Sequence, residues 1–169
     1  QNPVFVYEKE PSRDILCIDC KSFYASVECV EKDLDPLTTK LVVMSYPSDS
    51  TETRGSGLIL ASSPAAKKAY GITNISRARD LPFPYPSDLY IVAPRMAYYM
   101  EKNREINSIY KKYADEANHH VYSVDESFLD VTNSMALFGK TNAYDMAKLI
   151  HKDVFEQTGI YTTIGIGDN

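Results

Sequence analysis

The sequence predicts an α+β fold with a βαββαβ order of elements and a smaller α/β lobe inserted after the first helix. Short apolar runs, which are typical of buried strands, alternate with stretches in which apolar residues recur at helical spacing. Two irregular segments in the middle of the chain, one rich in Ser, Thr, Asp and Gly and one rich in proline, indicate an insertion. The 169 residues suffice for one compact domain that carries such a lobe.

The first strand and the first helix follow one another near the N-terminus. The apolar run of residues 15–18 predicts a strand that ends at Asp19. A helix is predicted over residues 22–34, with Ser22 as its N-cap and Pro36 after its end. The apolar face of this helix comprises Phe23, Val27, Val30 and Leu34.

Residues 36–94 form the predicted inserted lobe. A short helix begins with Ser63 as N-cap and Pro64 at the first helical position, and Gly71 ends it. Strands are predicted over 41–44, 58–61 and 89–92, a mobile loop over 46–57, and an irregular segment with three prolines over 81–86.

The remaining elements complete the larger part of the fold. They are a long helix over 95–117, two strands over 121–124 and 128–131 that are joined tightly through Asp125 and Glu126, a helix over 142–158 and a strand over 160–166. The long helix has one face formed by Met96, Tyr99, Asn103, Ile106, Tyr110 and Tyr113. If this helix completes the first crossover, residues 12–35 and 95–169 form a ferredoxin-like βαββαβ sheet with helices on one face.

Composition and charge restrict the possible functions. No apolar run is long enough to cross a membrane, and the N-terminus lacks the basic and apolar regions of a secretory signal. Three cysteines, an odd number, favour a reducing cytoplasm over a secreted disulfide scaffold. The net charge of −5 argues against a nucleic-acid binder without excluding one, because a metal site needs carboxylates of its own.

Three carboxylates lie at predicted strand ends. Asp19 ends the first strand, and Asp125 and Glu126 lie before the third strand, which is its neighbour in a ferredoxin-like sheet. These acids, with a backbone carbonyl such as that of Cys20, could hold two Mg²⁺ ions roughly 3.5–4 Å apart for phosphoryl transfer. Spacing alone favours another interpretation, in which the acidic pair is a solvated turn and Asp19 caps the following helix.

The wording of three segments adds a family resemblance. The segment IDCKSFYASVE, residues 18–28, resembles the first palm motif of the Y-family (UmuC/DinB-like) lesion-bypass DNA polymerases, in particular of the UmuC-like branch. The segment YSVDESFLD, residues 122–130, resembles their second acidic motif, and residues 165–167 resemble the strand end that follows. The three segments occur in the family's order. The resemblance implies a palm over 12–35 and 95–169 and a fingers lobe over 36–94.

The resemblance also implies roles for single residues. Asp19, Asp125 and Glu126, with the Cys20 backbone carbonyl, match the ligands of two Mg²⁺ ions, for which Mn²⁺ can substitute. Tyr24 matches the steric gate, an aromatic ring that lies where a ribose 2′-OH would clash.

The same resemblance implies contacts to the triphosphate. The backbone N–H groups of Phe23 and Tyr24, at a helix start, would meet it, and Ser62 and Lys68 match further contacts in the fingers. The sequence departs from many relatives at Ala65, where they carry Tyr, and at Lys68, where they often carry Arg.

The implied protein is a bacterial, cytoplasmic DNA-directed DNA polymerase that works in DNA damage tolerance and associates with the nucleoid when acting. Its partners would be primer–template DNA and deoxynucleoside triphosphates, with sliding-clamp and SOS-response proteins binding elsewhere. Relatives continue beyond the position of Asn169 into a thumb and a little finger, so a palm-and-fingers piece is expected, weak or inactive alone.

Other interpretations stay open. A palm-type nucleotide cyclase would have the same sheet and the same two-metal chemistry, but the hairpin motif of such cyclases is absent from this sequence. A non-catalytic interaction module is a third possibility. A zinc site from Cys17, Cys20, Cys29, His119 and His120 is disfavoured, because a strand directs Cys17 and Cys20 to opposite faces. The basic residues Lys67, Arg77, Arg79 and Arg95 are either phosphate contacts or ordinary surface charges.

Overall fold

Two sheets organise the chain in the computed structural model, which describes residues 13–45, 57–73, 76–82 and 84–167. The larger sheet has four strands and the smaller has three. The loop predicted over 46–57 lies outside the described residues except for Gly57, and the proline-rich segment is described except at Phe83.

The main sheet contains β1 (Ile15–Cys20), β5 (His119–Val121), β6 (Glu126–Asp130) and β7 (Thr162–Gly167). Its strand order is β5-β6-β1-β7, and every neighbouring pair is antiparallel. Three helices accompany it: α1 (Phe23–Glu31), α3 (Met96–Tyr110) and α4 (Ala143–Thr158). Because β1 and β6 are the central pair, the α+β, ferredoxin-like prediction is confirmed.

The inserted lobe has its own sheet of β2 (Leu41–Met44), β3 (Ile59–Ser62) and β4 (Tyr90–Val92), with the short helix α2 (Pro64–Tyr70). The strand order is β3-β2-β4, in which β2 is antiparallel to β3 and parallel to β4. Alternate residues of β2 belong to different cores: Val42 and Met44 pack in the lobe, whereas Leu41 and Val43 pack in the main core. This strand therefore fixes the lobe against the main sheet.

The main core lies between the four-stranded sheet and its helices. Its largest fully buried side chains include Leu16, Ile18, Tyr99, Ile106, Leu129, Met146 and Ile150. They come from the inward positions that the helical and strand periodicities predict. No helix in the parts of the chain described here has the length and apolar content needed to span a bilayer.

The helix ends show where local sequence signals hold and where they do not. Ser63 caps α2 by accepting a hydrogen bond from the backbone N–H of Ala66, and Gly71 ends it in the left-handed conformation with φ 64°. Ser22 precedes α1 as predicted, but its φ is 47° and its side chain makes no cap hydrogen bond. The hydroxyl of Ser26 instead donates to the Lys21 carbonyl oxygen.

Several predicted boundaries are wrong. Helix α1 ends at Glu31 instead of residue 34, and α3 ends at Tyr110, because a 3₁₀ turn capped by Asp115 takes up part of the remaining stretch. The strand predicted over 121–124 is β5, two residues earlier, and residues 122–125 form the turn. Glu126 is therefore the first residue of β6 and is fixed by strand pairing.

Candidate active site

The register of the main sheet brings the acids together at one edge. Asp19 lies directly opposite Glu126 in the pairing of β1 with β6. The backbone N–H of Cys20 donates to the carbonyl oxygen of Asp125 at 2.9 Å. Because burial alternates along β1, Cys17 and Asp19 lie on the open face of the sheet, whereas Cys20 is buried.

A cleft of about 290 Å³ lies beside this edge and is lined from both parts of the fold. The main sheet and α1 contribute Asp19, Cys20, Ser22, Phe23, Tyr24, Val124 and Asp125. The inserted lobe contributes Ile59, Leu60, Ala61, Ser62, Lys67 and Thr73. Glu126, half-buried at the start of β6, is not among the residues that line the cleft. The cleft therefore has acids on one wall and a mixed apolar, hydroxyl and lysine wall opposite.

The surroundings of Asp19 are unfavourable for the charged form of its carboxyl. Partial burial raises the pKa of its carboxyl, and the neighbouring carboxylates of Asp125 and Glu126 raise it further. The positive charges of Lys67 and Lys21 oppose this rise. A cation bound among the acids would relieve the repulsion that raises the pKa of Asp19.

A serine joins the two acids of the turn. The hydroxyl of Ser123 lies 3.0 Å from Oδ1 of Asp125 and 3.3 Å from Oε1 of Glu126, so it can donate to either carboxylate. The Ser123 hydroxyl therefore lies between the two carboxylates of the acidic pair and within reach of both. The sequence motif contained this serine, but nothing in its spacing indicated the double contact.

The donor chemistry of the acids fits Mg²⁺, which prefers oxygen ligands and commonly takes one or two carboxylates together with substrate phosphates. Within the described residues, no three His, Cys, Asp or Glu side chains converge closely enough to form a complete protein site. Asp19 and Asp125 both line the cleft, and Glu126 pairs with Asp19 across the strands, so a cation held there would need further ligands from a backbone carbonyl and from substrate.

Tyr24 lies in the cleft at the start of α1. Its ring stacks on the ring of Tyr99 at a centroid distance of 4.7 Å and an interplanar angle of 18°, and the Phe23 ring lies tilted at 5.8 Å. Because the Ser22 side chain does not cap this helix, the first backbone N–H groups face the cleft without a serine cap. Such a helix start favours anions.

Tyr99 is itself fixed from behind. Its hydroxyl donates to the buried carboxylate of Glu28 at 2.6 Å, and Arg95 forms two hydrogen bonds to the same carboxylate at 2.8 and 3.0 Å. Arg95 also pairs with Glu31. Arg95 therefore holds helix α1 against the start of α3. The sequence left open a phosphate contact for Arg95, whereas in the structure its guanidinium binds these two carboxylates.

The structure separates two adjacent lysines of α2. Lys67 lines the cleft with the acids, whereas Lys68, the residue that the resemblance indicated, lines a separate hollow with Leu37, Lys40, Pro64, Ala65 and Ala69. Neighbouring helical residues point about 100° apart, so only one of the two can face the cleft. Of the two fingers residues that the resemblance indicated, Ser62 lines the cleft, whereas Lys68 lies outside it in this structure.

Sequence reasoning missed most of the lobe's contribution. Leu60, Ala61 and Thr73 line the cleft, although none of them carries a motif that points to nucleotide chemistry. Apolar and small residues at a binding wall resemble ordinary strand residues in a sequence. Their role becomes visible only when β3 packs over the start of α1.

The alternative metal ligands do not assemble. Cys17 is exposed, whereas Cys20 and Cys29 are buried in the main core. His119 and His120 open strand β5. The His119 ring packs edge-on against Tyr110, and burial lowers its pKa.

Comparison with known proteins decides the family. Residues 18–169 match the profile of the impB/mucB/samB family. The chain belongs to that family. It is 40% identical over 165 residues to the putative UV-damage repair protein UvrX of Bacillus subtilis, covering 96% of this chain and 36% of UvrX. DNA polymerase IV 2 of the same bacterium is 36% identical over 155 residues, covering 92% of this chain and 35% of that protein.

A shorter family member and the solved structures agree with this assignment. The DNA repair protein homolog YozK of Bacillus subtilis is 40% identical over 121 residues, which cover 70% of this chain and 97% of YozK. The crystal structure of DinB from Sulfolobus solfataricus matches with a TM-score of 0.74 at 25% identity over 92% of this chain and 42% of DinB. The Dbh ternary complex matches with a TM-score of 0.73. The Y-family resemblance is thus confirmed, and the chain spans about a third of the length of UvrX and of DNA polymerase IV 2.

Proposed function

We propose that this family member carries the catalytic centre of a lesion-bypass DNA polymerase, which adds deoxynucleotides to a primer end by two-metal phosphoryl transfer. The observation that supports this best is one cleft lined by Asp19 and Asp125, by the Tyr24 ring, and by Ser62 and Lys67. Residues 12–35 and 95–169 would be the palm and residues 36–94 the fingers.

The proposed metal ligands are Asp19, Asp125 and Glu126 with the carbonyl of Cys20. Mg²⁺, or Mn²⁺ in its place, would neutralise charge on the triphosphate and favour ionisation of the primer hydroxyl when bound there. The chain's own residues set the geometry: strand pairing holds Asp19 opposite Glu126, and the Ser123 hydroxyl lies within reach of both carboxylates of the acidic pair. Burial and the repulsion from the other two carboxylates raise the pKa of Asp19.

The opposite wall would orient the nucleotide. Lys67 carries a positive charge into the cleft, Ser62 offers a hydroxyl, and the backbone N–H groups at Phe23 and Tyr24 open helix α1 there. We therefore assign the triphosphate contact to Lys67 in place of Lys68. The Tyr24 ring, held by its stack on Tyr99, would occupy the space of a ribose 2′-OH and so favour deoxynucleotides.

The proposed partners are primer–template DNA and deoxynucleoside triphosphates in the bacterial cytoplasm, at the nucleoid. Contacts to a sliding clamp and to SOS-response proteins would lie in regions of the longer relatives that this chain does not span. A nucleotide cyclase is less well supported, because the Tyr24 ring in the cleft opposes a ribonucleotide.

The test uses the full-length natural protein and primer extension with Mg²⁺ or Mn²⁺. Asp125→Ala is expected to lower nucleotide incorporation by more than about a hundredfold, because a metal ligand is lost. Glu156→Ala, which removes an exposed carboxylate of α4, is the matched control and is expected to leave the rate unchanged. Equal rates for wild type and Asp125→Ala would exclude the proposed site and favour a non-catalytic module.

A second arm tests the sugar. Tyr24→Ala is expected to raise ribonucleotide incorporation relative to deoxynucleotide incorporation by at least about tenfold, because it removes a steric clash. Tyr144→Ala, at an exposed aromatic ring of α4, is the control. Unchanged sugar selectivity in Tyr24→Ala would remove the steric-gate assignment and leave the metal assignment standing.

A further inference from the structure

The amide side chains of Asn103 and Asn107 on α3 and the hydroxyl of Ser127 on β6 form a chain of hydrogen bonds, here called the ladder, that ends on the acidic turn. Asn103 and Asn107 are one helical turn apart, and Asn103 occupies the inward face of a helix whose other inward residues are apolar or aromatic. A half-buried amide on such a face is costly unless it is hydrogen-bonded. Each of these two amides is bonded, and the bonds lead to the turn.

The hydrogen bonds run in one direction through the ladder. The hydroxyl of Ser127 donates to Oδ1 of Asn107 at 3.3 Å. Nδ2 of Asn107 donates to Oδ1 and to the backbone carbonyl oxygen of Asn103, at 3.1 and 3.0 Å. Nδ2 of Asn103 donates to the backbone carbonyl oxygen of Val124. The Nδ2 atom of each asparagine faces a backbone carbonyl oxygen, which can only accept a hydrogen bond. The orientation of both side-chain amides is therefore determined.

The two ends of the ladder bracket the acids. Val124 immediately precedes Asp125, and Ser127 immediately follows Glu126. The turn of residues 122–125 is also held by backbone bonds to Glu126, by the Cys20 N–H on the Asp125 carbonyl, by the Ser123 hydroxyl and by the Tyr122 ring against Phe128. The ladder therefore ties both sides of the acidic pair to a rigid helix of the main core.

We infer that Asn103, Asn107 and Ser127 are positioning residues that hold the Asp125–Glu126 pair in the geometry needed to bind its cation. This inference rests on the proposed function, because it gives the pair a metal-binding role. Asn103 bonds to the backbone carbonyl of Val124, Asn107 bonds to the hydroxyl of Ser127, and none of these three positioning residues lines the cleft. Loss of one hydrogen bond of the ladder would let the turn rotate and would move apart the two carboxylates that the Ser123 hydroxyl contacts.

The experiment measures the turn and the cation separately in the full-length natural protein. Asn103→Leu keeps the side-chain volume and a good helix former but removes the donor. Ser127→Ala breaks the opposite end with a smaller change. Ser108→Ala is the matched control, because its hydroxyl bonds only to the carbonyl of Arg104 within α3. Mn²⁺ affinity is read from the electron paramagnetic resonance of free Mn²⁺, and turn order from hydrogen exchange of the amides of residues 122–126 without metal.

The expected result is a weakening of Mn²⁺ binding by roughly tenfold in Asn103→Leu and in Ser127→Ala, as for residues that orient metal ligands. Hydrogen exchange in the turn should accelerate in both, and the double variant should be little worse than either single one, because the ladder acts as a unit. Ser108→Ala should match wild type. A ladder that serves only folding would lower the melting temperature and leave Mn²⁺ affinity of the folded protein unchanged.

The outcomes separate this inference from the proposed function. If wild type binds Mn²⁺, Asp125→Ala abolishes binding and both ladder variants bind like wild type, the positioning role is overturned and the metal site stands. If Mn²⁺ binding is the same in wild type and Asp125→Ala, the metal assignment fails and the positioning role fails with it. If Asn103→Leu does not fold, Ser127→Ala alone decides between these results.

Discussion

At the scale of single residues, Asp19 has the least favourable position in the cleft. Burial and two neighbouring carboxylates raise its pKa, and the nearby lysines only partly offset them. A structure that keeps such a group without a neutralising partner sacrifices stability for function, as binding sites commonly do. A cation bound beside these carboxylates, as proposed, would relieve the repulsion.

Asp19→Asn is expected to stabilise the metal-free chain near neutral pH. Because the folded-state pKa of Asp19 lies above the ordinary value of an aspartate, the folded state holds this proton more tightly. Its contribution is therefore most favourable below that value and declines as the pH rises through the folded pKa. Urea denaturation in EDTA at acidic and neutral pH measures this decline, which the variant should lack.

Adding Mg²⁺ supplies the control for the Asp19 prediction. Ligand binding to the folded state stabilises it, so wild type should gain more from Mg²⁺ than Asp19→Asn does. A variant that is less stable than wild type at neutral pH in EDTA would contradict the prediction, since it would show that the carboxylate stabilises the fold.

At the scale of elements, helix α1 depends on a buried carboxylate. Glu28 is 1% exposed and receives hydrogen bonds from Arg95 and Tyr99, which come from the start of α3. This contact joins the helix that carries Tyr24 to the helix that follows the inserted lobe. Burial and the hydrogen bond to Glu28 raise the pKa of Tyr99, so its hydroxyl stays protonated and remains a donor.

Glu28→Ala is expected to lower the free energy of unfolding by about 2–3 kcal/mol, because the buried Tyr99 hydroxyl loses its acceptor and Arg95 loses two bonds. The lower end of the range for a broken buried pair applies, since the Arg95 side chain is 44% exposed and can turn to water. Denaturant unfolding measures the change.

Glu31→Ala is the matched control for Glu28→Ala. Glu31 is the same residue type on the same helix and pairs with the same arginine, but its side chain is 38% exposed. Its removal should cost less than about 0.5 kcal/mol. Equal losses in the two variants would show that Arg95, and not the buried hydroxyl of Tyr99, determines the energy.

At the scale of the whole molecule, the negative net charge opposes binding of the proposed DNA substrate. The net charge of −5 leaves few cations for a phosphate backbone, and two of the candidate arginines do not line the cleft: the Arg95 guanidinium binds Glu28, and Arg77 is exposed elsewhere on the inserted lobe. The 169 residues alone are expected to bind primer–template with a Kd of roughly 10⁻⁵ M or weaker, falling further with salt.

Fluorescence anisotropy with a labelled primer–template at two salt concentrations measures this affinity. The full-length protein is the control, because regions that this chain does not span make up nearly two thirds of UvrX. Tight binding by the 169 residues that persists at high salt would show that this part carries the main DNA contacts and would revise the division of labour proposed for it.

Much of the fold was accessible from patterns within the sequence. The apolar runs predicted β1 and β2, and the Ser63, Pro64 and Gly71 signals predicted α2, because buried strands and helix termini depend on neighbours a few residues away. The prediction was wrong for β5, since His119 and His120 show no strand pattern and become a strand only by pairing with β6.

The sequence by itself determined the order of elements, the acids at the strand ends and the family, because these follow from local patterning and from motifs of contiguous residues. Only the tertiary structure decided which of Lys67 and Lys68 faces the cleft, and that Asn103 reaches the acidic turn. The physical reason is the same for both: a helix offers several faces, and packing against distant parts of the chain selects the one that meets the site.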